Sequence, residues 1–152
     1  MQKITSSVII KTSAERAFEC VSDPTDTALL RLLSIPMKVE KITRAQAGRD
    51  TVYHYSVKLP GTSQWQEHDS RNIEWDPPRR IVSEVISGPL AGMRWISEIT
   101  KEGDYAVRLE RTIEYTFPSE FKAMTEKSAR EALERQAQEY TEGVKHILEK
   151  GK

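Results

Sequence analysis

The sequence has almost no cysteine, no long apolar run and no excess of either charge. Its one cysteine, Cys20, excludes an internal disulfide and indicates a reducing, cytoplasmic compartment. Basic and acidic residues balance at 23 each and are interspersed, so no nucleic acid and no anionic membrane is expected as a partner. Residues 1–12 lack the pattern of a signal peptide, and no stable membrane insertion is expected. A chain of 152 residues is expected to form one domain, residues 1–152, around one core.

The common sequence signatures of catalysis are also missing. The three histidines, His54, His68 and His146, do not have the spacing of metal ligands. The chain has neither a glycine-rich phosphate loop nor a Gly-x-Ser-x-Gly elbow. Strand alternation predicts that His54 and His68 face outward, and helical periodicity places His146 on a charged face. We therefore expect no metal and no cofactor.

The longest predicted element is a C-terminal amphipathic helix over residues 118–150. Its apolar and small residues recur at steps of three and four, which places them on one helical face. They are Ala129, Leu133, Ala137, Tyr140, Val144, Ile147 and Leu148. Phe121 and Met124 fall on a different face, so either the helix bends near residues 125–128 or residues 118–125 form a separate turn. These two side chains are expected either at the mouth of a cavity or against a loop.

The remainder of the chain predicts short strands joined by tight turns. A first strand over residues 2–11 precedes two short helices, over residues 13–22 and 24–33. Six further strands follow, bounded by turns rich in glycine, proline and aspartate. They span residues 37–44, 51–59, 63–75, 80–87, 93–101 and 105–117. Short strands with tight turns predict an antiparallel sheet, so the class is α+β with the order β-α-α-β6-α.

Four segments carry a resemblance to a known family: SVIIKTSAERAFEC at 7–20, EWDPPRRI at 74–81, SGPLAG at 87–92 before Arg94 and Trp95, and residues 132–149. With this order of elements, the whole chain resembles the SRPBCC superfamily, which includes the START and birch-pollen-allergen-like helix-grip domains. It looks closest to the bacterial polyketide cyclase/dehydrase-like and lipid-transport-like branch. The resemblance implies a curved antiparallel sheet wrapped around the long C-terminal helix, with a deep, mostly hydrophobic cavity between them.

Alternation along the strands selects the side chains expected in this cavity. Arg111 falls among inward apolar residues, where it needs a partner such as Glu67, Asp69 or an anionic ligand. Alternatively, its stem packs near a barrel end and its head lies in water. The inward face of the strand 63–75 is predicted to carry Trp65, Glu67 and Asp69, unless a bulge reverses the faces. The predicted ligand-binding residues are Tyr53, Tyr55, Trp65, Met93, Trp95, Ser97, Val107, Leu109, Arg111, Tyr115, Phe121 and Met124.

Three functions remain open at this point. The leading hypothesis is that the cavity binds a hydrophobic small molecule such as a lipid, an isoprenoid or an aromatic polyketide-like compound. The alternative is a cyclase or dehydratase in which Arg111, Glu67, Asp69 or a tyrosine moves protons. A third hypothesis is a protein-interaction or regulatory module whose pocket is filled by its own side chains.

Overall fold

One seven-stranded antiparallel sheet and one long helix account for most of the chain. The computed structural model describes residues 1–58, 64–117 and 125–150. Its elements are β1 (Gln2–Ile10), α1 (Ala14–Val21), α2 (Thr27–Leu30), β2 (Met37–Lys41), β3 (Val52–Lys58), β4 (Trp65–Asp76), β5 (Arg80–Val85), β6 (Arg94–Lys101), β7 (Val107–Tyr115) and α3 (Glu126–Lys150). The strand order β1-β7-β6-β5-β4-β3-β2 places the first strand beside the last, and α3 packs on β1 and β7. The predicted fold is confirmed.

The two short helices differ in how well the sequence anticipates them. Ser13 caps α1, because its Oγ accepts a hydrogen bond from the Arg16 backbone N–H. The second helix is a single turn and not the predicted 24–33 segment. The Asp23 carboxylate holds a separate turn by accepting from the Thr25 N–H, so α2 begins only after its own cap, Asp26. The prediction of a helix that starts at Pro24 is therefore wrong.

The predicted apolar face of α3 is the face that packs on the sheet. Ala129, Ala137, Val144 and Leu148 are buried, while His146 is exposed on the charged side as predicted. The side chains on β1, β7 and α1 complete this core. Phe121 and Met124, and the proposed bend at the start of the helix, lie outside or at the edge of the described residues. No helix in the described ranges is long and apolar enough to cross a bilayer.

A β-bulge in β4 decides which side chains face α3. The pairing of β4 with β5 shifts register between Asn72 and Glu74. After the bulge, Trp75 is inward and packs edge-on against Phe18 at 5.2 Å between ring centroids. Before it, the inward set is Gln66, His68, Ser70 and Asn72, and the outward set is Trp65, Glu67, Asp69 and Arg71. The predicted inward placement of Trp65, Glu67 and Asp69 is therefore wrong, because the alternation does not continue through the bulge.

Candidate functional site

A cavity of about 170 Å³ lies between α3 and the inner face of the sheet. One water molecule needs about 10–15 Å³ by this measure, so the cavity has room for a ligand of roughly ten or more non-hydrogen atoms. Residues 22–37, which we call the cover segment, form one wall through Leu29, Leu30 and Leu33 among others. The wall is mostly apolar, and apart from Ser22 its polar side chains come from the strands and from α3. This is the composition expected of a small-molecule site.

Arg111 is the charged group of the cavity. Its Nη1 donates a hydrogen bond of 2.8 Å to the Ser97 Oγ, and its Cζ lies 4.0 Å from the Tyr140 ring centroid and 5.1 Å from that of Trp95. Its Nε is buried and has no hydrogen-bond partner among the described residues. Across residues 1–58, 64–117 and 125–150, no carboxylate forms an ion pair with this guanidinium. The arrangement leaves a positive charge inside an apolar cavity with donors for an anionic group.

The phenol groups of Tyr55 and Tyr140 lie near the Arg111 guanidinium. Burial is the largest influence on Tyr55 and Tyr140 and raises the pKa of both, while the positive charge of Arg111 acts in the opposite direction. Both phenols therefore stay protonated near neutral pH and can donate hydrogen bonds to a ligand oxygen. Tyr115 also lines the cavity, and its buried hydroxyl finds no hydrogen-bond partner in the described part of the chain.

His68 faces the cavity, contrary to the prediction that it points outward. Its ring stacks on Tyr55 with 5.1 Å between centroids and 8° between planes. Burial is the main reason that the pKa of His68 is lowered, with a smaller contribution from the nearby His54. No side chain or backbone group in the described part of the chain hydrogen-bonds the imidazole of His68. A neutral imidazole of this kind can accept a proton from a bound molecule.

The two predicted carboxylates lie on the other side of the sheet. There His54 bridges them, with Nδ1 2.7 Å from Asp69 Oδ1 and Nε2 3.1 Å from Glu67 Oε1. The hydrogen bond to Asp69 is the largest of several influences that raise the pKa of His54. Glu67 and Asp69 are therefore not placed to act in the cavity, and they do not pair with Arg111. No cluster among the described residues has the ligands for a metal ion.

Six of the predicted ligand-binding residues form part of the cavity wall, and their role in binding stays a prediction. They are Tyr55, Met93, Trp95, Ser97, Arg111 and Tyr115. Tyr53, Val107 and Leu109 are buried but lie away from the wall, and Trp65 is 45% exposed beside Lys38. Phe121 and Met124 lie outside the described residues.

The residues that sequence reasoning missed come mainly from α3 and the cover segment. Tyr140 was already on the predicted apolar stripe, so its position could have been derived from the helical periodicity. Gln136 lies one turn before Tyr140 on the same face of α3. The leucines of the cover segment carried no such signal, because the pattern there does not indicate which side faces the sheet. Cys20 is half-buried outside the wall, and burial raises the pKa of its thiol to about 11.

Comparison with known proteins decides the family. A model of the family described as polyketide cyclase / dehydrase and lipid transport matches residues 1–149. The chain belongs to this family. The resemblance seen in the sequence is thereby confirmed. No protein of curated function matches the chain significantly by sequence.

Solved structures of this family's fold include three that cover nearly all of the chain. The crystal structure of TTHA0849 from Thermus thermophilus has a TM-score of 0.74 at 15% identity and covers 97% of both chains. The Zhui aromatase/cyclase from Streptomyces sp. R1128 has a TM-score of 0.72 at 16% identity, covering 99% of this chain and 97% of its own. The di-domain aromatase/cyclase BexL has a TM-score of 0.69 at 14% identity, and 96% of this chain covers 46% of it. At these identities the likeness is one of fold.

Proposed function

We propose that the protein binds a hydrophobic small molecule with an anionic or strongly polarised oxygen, and that Arg111 receives this oxygen. The observation that carries the proposal is a guanidinium in the cavity wall without a carboxylate partner among the described residues. The side chain is half-buried and its Nε is fully buried, and a charge that is partly removed from water is costly unless a partner compensates it. A ligand carboxylate, phenolate or enolate would supply the missing charge. The membership of a cyclase and lipid-transport family supports the same class of ligand.

The contacts of Arg111 are suited to hold the guanidinium ready for such a ligand. Ser97 fixes one Nη, and the rings of Tyr140 and Trp95 confine the guanidinium. The side chain therefore loses little freedom when the ligand arrives, which favours binding. Tyr55 and Tyr140 would add neutral donors, and the apolar wall would take the rest of the molecule.

Calorimetric titration with naphthoic acid and methylnaphthalene tests this proposal, since the two differ mainly in the carboxylate. Wild-type protein is expected to bind naphthoate more tightly, and Arg111→Met to lose at least tenfold in naphthoate affinity with little change for methylnaphthalene. Arg108→Met is the matched control, because Arg108 lies on the same strand and pairs with Glu102. Equal affinity of wild type and Arg111→Met for naphthoate would overturn the role of Arg111.

His68 supports a second candidate function, an enzyme that moves protons on the bound molecule. The imidazole would take a C–H proton next to a carbonyl, and the electron pair would pass to the carbonyl oxygen beside Arg111. The enolate carbon would then either form a C–C bond to a second carbonyl of the ligand, whose oxygen takes the proton from the imidazolium, or regain that proton itself. This differs from the mechanism expected from the sequence, because a histidine of β4 takes the place of Glu67 and Asp69.

Deuterium exchange tests this chemistry without knowledge of the natural substrate. Acetylnaphthalene in D₂O is expected to exchange its methyl protons faster with the wild type than with buffer, as followed by NMR. His68→Asn should remove this acceleration, whereas His54→Asn, on the outer face, should retain it. Exchange at the buffer rate with wild-type protein would count against the enzymatic function and leave the binding function standing.

The interaction-module hypothesis receives less support. It requires a pocket filled by the protein's own side chains, and the tryptophan nearest the cavity, Trp95, lines it without filling it.

A further inference from the structure

Gln136 is a buried polar side chain in the cavity wall whose amide has no partner among the described residues. It lies on the face of α3 that lines the cavity, and only 8% of it is exposed. No hydrogen bond joins its amide to any residue in the described part of the chain. Its amide atoms are not among the fully buried, unpartnered polar atoms of the described residues, so the amide is open to the cavity. A ligand that covers the amide must therefore hydrogen-bond it or leave it unpaired, which costs free energy. Neither ligand binding by Arg111 nor proton transfer by His68 requires Gln136.

The position of Gln136 relative to Arg111 sets the spacing of two polar points in the cavity. Gln136 and Tyr140 are four residues apart on α3, so their Cβ atoms are about 5–6 Å apart on one face. The ring of Tyr140 in turn lies against the guanidinium of Arg111. Between and around these two points the helix contributes Leu133 and Ala137, which are apolar. The cavity thus presents a charged donor and, roughly one helical turn along α3, an uncharged amide that can both donate and accept.

We propose that Gln136 determines specificity by binding a second oxygen of the ligand, a hydroxyl or a carbonyl, while Arg111 holds the first. The ligand class is then an oxygenated amphiphile, and a plain fatty acid or hydrocarbon acid is a poor match. An unsubstituted chain would bury the Gln136 amide without a partner, whereas a ligand with the second oxygen satisfies it. This inference rests on the proposed function, because it assumes that Arg111 anchors the ligand.

A matched series of acids tests the proposal. Naphthoic acid is compared with hydroxynaphthoic acids whose hydroxyl stands at successive ring positions. In wild-type protein, one or more hydroxy isomers are expected to bind roughly five- to a hundredfold more tightly than naphthoate, the range that one buried unpaired amide implies. Gln136→Met has a side chain of similar length without hydrogen-bonding groups, and it should abolish this preference while naphthoate binds at least as well.

Control variants distinguish an effect of the Gln136 amide from a general effect of the substitution on α3 or on folding. Gln138→Met carries the same substitution at an exposed position of the same helix and should keep the wild-type preference. Gln136→Leu is a second apolar variant, and thermal unfolding confirms that each variant is folded. If no isomer is preferred, or if the preference survives in both Gln136 variants, the role of Gln136 is overturned and the binding function stands. If naphthoate binds with no dependence on Arg111, the proposed function fails and this inference fails with it.

Discussion

At the scale of single residues, Arg111 combines favourable contacts with an unsatisfied charge. Its contacts with the Tyr140 and Trp95 rings are worth on the order of 0.5–2 kcal/mol each. The side chain is only half-buried, so removing its charge from water costs part of the several kcal/mol that full burial would cost, and no ion pair with the described residues offsets this cost. The side chain is therefore better explained by what it binds than by what it adds to folding.

This balance predicts that Arg111→Met stabilises the protein while it weakens ligand binding. We expect the free energy of unfolding without ligand to rise by about 1 kcal/mol, because an unpaired charge is replaced by an apolar side chain of similar length. Urea denaturation measures the change. Arg108→Met, which removes an exposed ion pair with Glu102, should change it by less than about 0.5 kcal/mol. A clear loss of stability in Arg111→Met would show that Arg111 has a structural role.

The two histidines on opposite sides of the sheet should affect stability with opposite dependence on pH. The folded-state pKa of His54 is raised above its usual 6.5, chiefly by the hydrogen bond with Asp69. The stabilisation that protonated His54 gives the folded state is therefore fully present below pH 6.5 and is lost as pH rises through the folded-state pKa. Burial lowers the pKa of His68, so the folded state favours the neutral imidazole. The resulting stability is fully present above pH 6.5 and is lost as pH falls through the folded-state pKa.

Denaturation from about pH 5 to about pH 8 measures both effects. The difference in unfolding free energy between wild type and His54→Gln should shrink as pH rises, and that between wild type and His68→Gln should grow. Equal slopes for the two variants would contradict the assignment of one histidine to each face of the sheet.

Individual site residues could be predicted where strand alternation runs without interruption. Trp95, Ser97 and Arg111 lie on β6 and β7, whose pairing is regular, and all three line the cavity, while their role in binding stays a prediction. The prediction put His68 on the outward face because it extended the inward position of Trp75 along β4 by simple alternation. The bulge lies between the two residues and reverses that alternation. A bulge depends on non-local contacts, here the Asn72 amide, which donates to the Gly48 carbonyl and accepts from the Ser83 hydroxyl.

At the scale of elements, the cover segment is attached to α3 at two points one helical turn apart. The Glu139 carboxylate accepts hydrogen bonds from the Ser34 backbone N–H at 2.9 Å and from its hydroxyl at 2.7–2.8 Å. At Gly143 a side chain would approach Leu29 Cδ1 to 3.0 Å, so the absent Cβ permits close packing. These contacts depend on residues more than a hundred positions apart in the sequence, which is why local patterns did not predict them.

Glu139→Ala is expected to loosen the cover segment without removing any side chain that lines the cavity. Because both hydrogen bonds of Ser34 are lost, backbone amides in residues 24–35 should exchange with deuterium faster. Naphthoate should enter and leave faster, while its dissociation constant changes less than about twofold, since the closed cavity still has all of its lining side chains. Stopped-flow binding and hydrogen-exchange mass spectrometry measure the two effects.

The matched control is Glu142→Ala, an exposed position on the same helix. It should leave both rates unchanged. If Glu139→Ala weakens naphthoate binding strongly while its exchange rates stay those of the wild type, the cover segment is a fixed wall and not the route of entry.

At the scale of the whole molecule, the sheet and α3 enclose volume that their own side chains do not fill. Apolar walls facing such a volume forgo dispersion contacts, and the fold is less stable than a filled version would be. A ligand in the cavity restores these contacts and stabilises the folded state by mass action. At a ligand concentration a hundred times its dissociation constant the gain is about 2.7 kcal/mol. For a domain of this size it corresponds to a rise of roughly 5–10 °C in the melting temperature.

A larger side chain inside the cavity should stabilise the free protein as a ligand does, and it should also exclude the ligand. Ala132 lines the cavity from α3, so Ala132→Leu is expected to raise the melting temperature of the free protein by a few degrees, about 1 kcal/mol in stability. The same variant should lose most of the rise that naphthoate produces in the wild type, because the added side chain occupies the ligand's volume. Ala28→Leu makes the same change at an exposed position of α2 and should keep the wild-type rise. Differential scanning calorimetry with and without naphthoate compares the three proteins. An undiminished ligand-induced rise in Ala132→Leu would mean that the ligand binds outside this cavity.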